Sequence, residues 1–184
     1  MLLLAEYAAA PLTYAQVGLS LDRDRPLPHG WGASECRVRV GAPVEPVLAA
    51  GRAAIQDWAA HRAARVHLEP PRPALREGTV LAVTAGPPVG AVVALCRIVR
   101  VVDEPDRFGF AYGTLPLHPE VGEECFLVTR EPDGVWVRVR SASKPVALPA
   151  RLAPPLARAV IGAYVRVYAY GLARDVRRRL ATGG

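Results

Sequence analysis

The sequence predicts an α+β fold in which a curved antiparallel β-sheet wraps around a long C-terminal helix. Residues 66–143 alternate apolar and polar side chains between closely spaced turn signals, the mark of strands joined by hairpins. Residues 44–64 and 156–180 show helical spacing instead, and the second of these is too apolar to stand free of a broad partner surface. The sheet is the one partner large enough, and helices gathered on one face of an antiparallel sheet define the class. At 184 residues the chain suits one domain, 1–184, able to bury a real core.

The elements follow in order. Residues 1–32 are rich in Pro and Gly and read as an irregular arm. A first strand is expected at about Glu35–Val40, with Cys36, Val38 and Val40 on one face and Arg37 and Arg39 on the other, as in a sheet wet on one side. A helix follows at about Val44–Ala64, with Pro46 in its first turn, where no N–H is missed. Val47, Leu48, Ile55 and Trp58 form its stripe, and Gly51 and Ala54 allow close approach.

Strands are expected at Val66–Leu68, Thr79–Ala85, Ala91–Val102, Arg107–Leu115, Glu123–Arg130 and Val135–Ala142. The breaks at Gly86-Pro87-Pro88, Glu104-Pro105-Asp106, Pro116 to Gly122 and Pro132-Asp133-Gly134 carry turn chemistry. Pro145, Pro149, Pro154 and Pro155 stiffen a connector into the last helix, about Leu156–Leu180. Its stripe is read as Leu156, Val160, Ala163, Val167 and Tyr170, with Tyr164, Tyr168 and Leu172 on a second face.

Composition excludes several classes. With 51% apolar and 22% charged residues the chain is not disordered. The apolar start Met1 to Leu4 meets Glu6 at once and lacks a basic leader, so neither a membrane span nor a secretory signal is expected. Cys36, Cys96 and Cys125 are odd in number and widely spaced, which suits buried thiols in a reducing cytoplasm. The competing reading, a nucleophile at Cys125, is weakened by Glu123 and Glu124, which would raise its pKa.

The net charge of +6 comes almost wholly from arginine, since Lys144 is the only lysine. The arginines are scattered, and the dense run Arg174 to Arg179 complements the dipole of the last helix, so no nucleic-acid partner is expected. No phosphate loop, nucleophile elbow or metal-ligand spacing occurs; neither a metal nor a cofactor is expected.

The stretch Phe108-Gly109-Phe110-Ala111-Tyr112-Gly113-Thr114-Leu115-Pro116, with His118-Pro119-Glu120 and Gly122-Glu123-Glu124, resembles the family called domain of unknown function 1990, found in bacteria and plants. Leu12-Thr13-Tyr14, Val17-Gly18, Trp58 with His61-Arg62, Cys96 and Val102-Asp103-Glu104 fit the same pattern. Leu117 departs from it, standing where glycine is expected. The resemblance implies kinship with the helix-grip superfamily of Bet v 1-like, START and polyketide-cyclase proteins, and hence an apolar small molecule held between sheet and helix. It supplies no reaction.

The residues themselves offer several candidates. Phe108, Phe110 and Tyr112 share one face of a strand and either fill the core or line a cavity. Tyr112 is the most interesting, since a buried hydroxyl needs a partner and in a pocket would orient or protonate a ligand. His118, Glu120, Glu123 and Glu124 gather in one turn, where a histidine beside carboxylates suits general-base work near neutral pH, and where a solvated polar hairpin is the plain alternative. Glu123 and Glu124 point to opposite faces, so only one can meet a pocket. Trp58 and His61 share a helix face. Arg97 and Arg100 have opposite parity in one strand, so one points inward unless a β-bulge intervenes; an inward arginine would anchor a carboxylate or enolate.

The leading expectation is a cavity-binding, cyclase-like enzyme acting on a polyketide-like or terpenoid-like substrate. Tyr112 would be its acid or base, His118 or Glu124 the helper, and Phe108, Phe110, Trp58, His61, Arg97, Arg100 and Tyr164 its ligand-binding residues. The rival is a ligand carrier or protein-interaction module. The sequence leaves the oligomeric state open.

Overall fold

Alternating side chains pair into a seven-stranded, wholly antiparallel sheet in the computed structural model, which describes residues 4, 6–86, 90–147 and 153–182. The strands are β1 (Gly32–Gly41), β2 (His67–Glu69), β3 (Val80–Ala85), β4 (Val92–Glu104), β5 (Arg107–Thr114), β6 (Glu120–Glu131) and β7 (Gly134–Pro145). The helices are α1 (Glu45–Gln56), α2 (Ala59–Ala63) and α3 (Pro154–Thr182). Strand order is β1-β7-β6-β5-β4-β3-β2, so the first two strands form opposite edges and α1 and α2 carry the chain between them. The long last helix packs on β1, β7, α1 and α2. Met1 to Leu3, the Pro87 and Pro88 part of one expected turn and the Pro149 part of the connector lie outside the described residues.

The inner face of the sheet carries Phe108, Phe110, Phe126, Val128, Val135, Val137 and Val139, all buried in one cluster with Leu48, Ile55, Trp58 and the buried side of α3. Cys36 and Val38 of β1 pack against that cluster and Val40 belongs to it, the face expected of them. Gly51 brings α1 down onto β6: a Cβ there would sit 2.5 Å from Cγ2 of Val128.

Three expectations need correction. The helix foreseen over 44–64 is broken at Trp58, whose φ of 54° is left-handed, and the chain restarts as α2. The turn drives the indole into the core, where its N–H donates to the Pro73 carbonyl at 3.0 Å, and leaves His61 fully enclosed beside it. The stripe assigned to the last helix is also corrected over its later turns, from Val165 onward. Val165, Tyr168, Ala169, Leu172, Ala173 and Val176 face the protein, whereas Leu156, Val160, Val167 and Tyr170 are exposed. The buried set runs on through Val176 with one charged member, Asp175, which Arg179 neutralises, while the other runs into exposed Arg174 and Arg178.

The third correction concerns the outer face of the sheet, which is not simply wet. The N-terminal arm covers part of it, burying Leu19 and Ser20 and packing Leu12 against Leu95 and Leu115, and Leu21 against Ala111, Cys125 and Leu127. Glycine in β5 makes room: a Cβ on Gly113 would overlap the Tyr14 hydroxyl. The terminal arginine run is spent inside the molecule. Arg178 and Arg179 bind Asp175, Arg179 also reaches Asp57, and Arg177 donates to the Arg39 carbonyl at 2.7 Å.

Candidate functional site

On the inner face, β6 and β7 change character at the same level. Phe126 and Val128 give way to Glu124, and Val139 gives way to Ser141 and Ser143. Glu124 lies in register with Ser141 on one side and Tyr112 on the other. There the first turns of α3 stand away from the sheet, leaving a cleft of about 530 Å³. Val92, Ala94, Leu156, Val160, Ile161 and Tyr164 make apolar walls, and Tyr112, Glu120, Glu124, Ser141 and Ser143 make the polar floor.

The floor is a connected set. The Tyr112 hydroxyl donates to Oε2 of Glu124 at 2.7 Å, and His61 Nε2 lies 3.4 Å behind it. Burial pushes the Glu124 carboxyl up to about 7, against the lowering effect of the Tyr112 bond, and nearby Glu120 adds to the rise. Burial and the Glu124 charge raise the Tyr112 phenol, so it stays protonated and acts as a donor. Burial also raises Glu120, opposed by the Ser143 hydroxyl, which donates to its Oε2 at 2.6 Å. His61, with burial lowering its pKa to about 3, is a neutral imidazole.

His118 lies on the wall but is not a general base poised near neutrality. Burial lowers its pKa to about 4, a fall the Glu120 backbone only partly offsets. Its Nδ1 lies 3.0 Å from the Glu120 nitrogen and 3.1 Å from the Glu120 carbonyl oxygen, and the tautomer of the ring sets which of the two it bonds.

The expected site residues divide clearly. Tyr112, His118, Glu124 and Tyr164 line the cleft. Phe108, Phe110, Trp58 and His61 sit in the core beyond its end, with His61 touching it through Tyr112. Arg97 and Arg100 both point away. The register of β4 slips between Ile98 and Arg100, a bulge that returns Val101 to the inner face. Arg97 donates to the carbonyls of Tyr7 and Ala8 in the arm, and Arg100 pairs with exposed Glu77. Neither arginine can meet a ligand in the cleft.

Sequence reasoning missed Tyr168, Ser141 and Ser143. The serines had a signal: they continue the inward parity of Val135, Val137 and Val139, so a polar switch on a buried face was readable. Tyr168 was placed on a secondary face of its helix and is instead central. Cys96 lines the cleft and Cys125 the opposite face; burial raises both thiols, Cys125 to about 11. Among the described residues no three His, Cys, Asp or Glu side chains gather as a metal site, and no helix is long and apolar enough to cross a membrane.

Residues 13–171 match the family described as domain of unknown function (DUF1990). The chain belongs to this family. A UPF0548 protein of Deinococcus radiodurans is 40% identical to this DUF1990 member over 178 residues, 88% of this chain and 86% of the relative. Among solved structures, TTHA0849 from Thermus thermophilus superposes with a TM-score of 0.57 at 18% identity, covering 83% of this chain and 100% of that one. The Zhui aromatase/cyclase from Streptomyces sp. R1128 gives a TM-score of 0.55 at 15% identity, covering 84% of this chain and 99% of that one. At these identities the likeness is one of fold. The DUF1990 chain has the helix-grip fold that the aromatase/cyclase also adopts.

Proposed function

We propose that this DUF1990 protein binds an apolar small molecule between the sheet and the first turns of α3, and promotes a cofactor-independent cyclisation or isomerisation of it. The observation that carries the reading is the Tyr112–Glu124 pair, joined at 2.7 Å, on the polar floor of a cleft with apolar walls. The 530 Å³ of that cleft falls inside the range of about 300–1,000 Å³ typical of small-molecule sites.

A carboxyl titrating near 7 exists in both forms at neutral pH, the condition under which it takes a proton from one atom of a substrate and returns it to another. Tyr112 holds the carboxylate through its one O–H; once Glu124 has taken up a proton from the substrate, that O–H is released to donate to a developing oxyanion. No arginine serves that role, since Arg97 and Arg100 face outward. The walls would fold a flexible substrate into a reactive shape, which by itself lowers the entropic part of the barrier. The helix-grip fold shared with the aromatase/cyclase is compatible with this reading and names no substrate.

The test begins with mass spectrometry of small molecules released from the purified protein, followed by turnover of whatever is found. Glu124→Gln and Tyr112→Phe are expected to lower turnover by roughly 10²–10⁴-fold while binding survives. Stoichiometric binding with the ligand returned unchanged would make the protein a carrier and remove the catalytic half of the proposal.

A further inference from the structure

We infer that the ligand of this cleft is an apolar body bearing a basic nitrogen, held as an ammonium between the Glu124 carboxylate and the rings of Tyr112, Tyr164 and Tyr168. The inference rests on the reading of the cleft as a small-molecule site and deepens it.

The chain carries a net charge of +6, yet no Arg or Lys lines the cleft among the described residues. Its ionisable lining is Glu120, Glu124, Tyr112, Tyr164, Tyr168, Cys96, His118 and Glu123. The last is already engaged: its carboxylate receives Tyr14, Gly18 and Ser20 of the arm. Arg140, the buried arginine of β7, points to the arm as well, with Nη1 donating to the carbonyls of Leu19 and Asp22. A buried carboxylate ordinarily has a cation beside it. Around Glu124 stand Tyr112 from β5, Glu120 from its own strand, Ser141 and Ser143 from β7, Cys96 from β4, His61 from α2 and Tyr168 from α3. None supplies positive charge, because His61 is neutral.

A second observation is independent of the acids. Tyr168 is only 5% exposed, lies on the cleft wall, and its hydroxyl has no hydrogen-bond partner among the described residues. No side-chain polar atom among the described residues is both buried and unpartnered, so this hydroxyl is reached from the cleft, where it can meet a polar ligand atom. The ring of Tyr168 lies 6.0 Å from that of Tyr164, and with Tyr112 these faces give the electron-rich surface that attracts an ammonium. Carboxylates and phosphates are disfavoured by the same inventory, since among the described residues they would meet two acids and no counter-charge. A neutral carbonyl ligand remains chemically distinct: it would prefer the protonated acid as donor, and so would bind with the opposite pH dependence.

The experiment is titration calorimetry of the intact protein with three probes of one two-ring body: 1-naphthylmethylamine, 1-naphthylmethanol and 1-naphthoate. At about pH 8 the amine is expected to bind tenfold or more tighter than the alcohol, a margin of roughly 1.4 kcal/mol or greater, with the naphthoate weakest. Below the Glu124 midpoint near 7 the carboxylate takes up a proton while the amine stays charged. The amine should therefore lose up to about tenfold in affinity per pH unit, and the alcohol should not. Glu124→Gln, which keeps an acceptor for Tyr112, should abolish the preference; should that variant fail to fold, Tyr168→Phe tests the same point by weakening the amine selectively. Equal binding of amine and alcohol, an alcohol that tightens as pH falls, or a preference untouched by these variants would overturn the basic-nitrogen inference and leave the cleft a small-molecule site. Binding of none of the three would overturn both.

Discussion

Glu123 and Glu124 are neighbours in sequence and stand on opposite faces of the sheet. Glu123 is saturated: Oε1 accepts from the Tyr14 hydroxyl and the Gly18 N–H, each at 2.8 Å, and Oε2 accepts from the backbone and side chain of Ser20. Glu124 has Tyr112 as its one hydrogen-bond partner among the described residues and opens onto the cleft. One carboxylate fastens the arm; the other faces the cleft.

Glu123→Ala should therefore detach the arm from the outer face. Several buried donors would lose a charged acceptor, a cost of about 2–4 kcal/mol. The expected sign is a fall in Tm together with rapid proteolysis before Gly32. A cut pattern unchanged from the parent would show that the arm is held by other contacts.

Glu124 predicts a pH dependence of stability. Its folded pKa, about 7, lies above the ordinary value of 4.5. Between those two values the folded state binds more protons than the unfolded state, so stability falls as pH rises through the interval and is flat above it. Glu124→Gln removes the burden, and the variant should be more stable than the parent near pH 8 by on the order of 1–3 kcal/mol, with no gain at about pH 4. Denaturant titrations at both pH values check this.

Leu117 is 66% exposed and has a φ of 72°, in the left-handed region where a β-carbon is strained. This gives a physical reason for the glycine expected at that position. Leu117→Gly should raise stability by roughly 0.5–1 kcal/mol, since little buried surface is lost. A destabilised variant would indicate that the leucine packs on something in solution.

The approach of α1 to β6 predicts a coupled pair. Gly51→Ala should cost about 1–3 kcal/mol through overlap with Val128. Val128→Ala should cost a similar amount alone by opening a cavity, yet the double variant should be better than the sum. Strict additivity in unfolding free energies would mean that the two side chains do not share that space.

Much of this architecture was legible in the residues. Period-two alternation between hairpin signals located all the strands of the sheet, and the two long helical segments lay where their spacing put them. What escaped was set by contacts distant in sequence. The break at Trp58 has no Pro or Gly to announce it, since burying the indole imposes the left-handed turn. The bulge in β4 resolved the parity of Arg97 and Arg100, and a bulge depends on the partner strand. Tyr112 and Glu124 were findable because both sit two residues from large apolar side chains of the same parity. Tyr168 was not, because the face a helix buries is chosen by the surface that receives it.

The pairing of β1 with β7 has a consequence for the order of assembly. Gly32 lies opposite Ser143 and Arg39 opposite Trp136, so the first strand of the sheet waits for the last to find its neighbour. Hairpins β3 to β7 can zip locally as they emerge, while α1 waits for β6 and β1 for β7. Only when α3 follows can the early and late ends of the chain close over the hairpins. The pocket, built from the strands of the sheet and from α3, is then among the last parts of this fold to take shape.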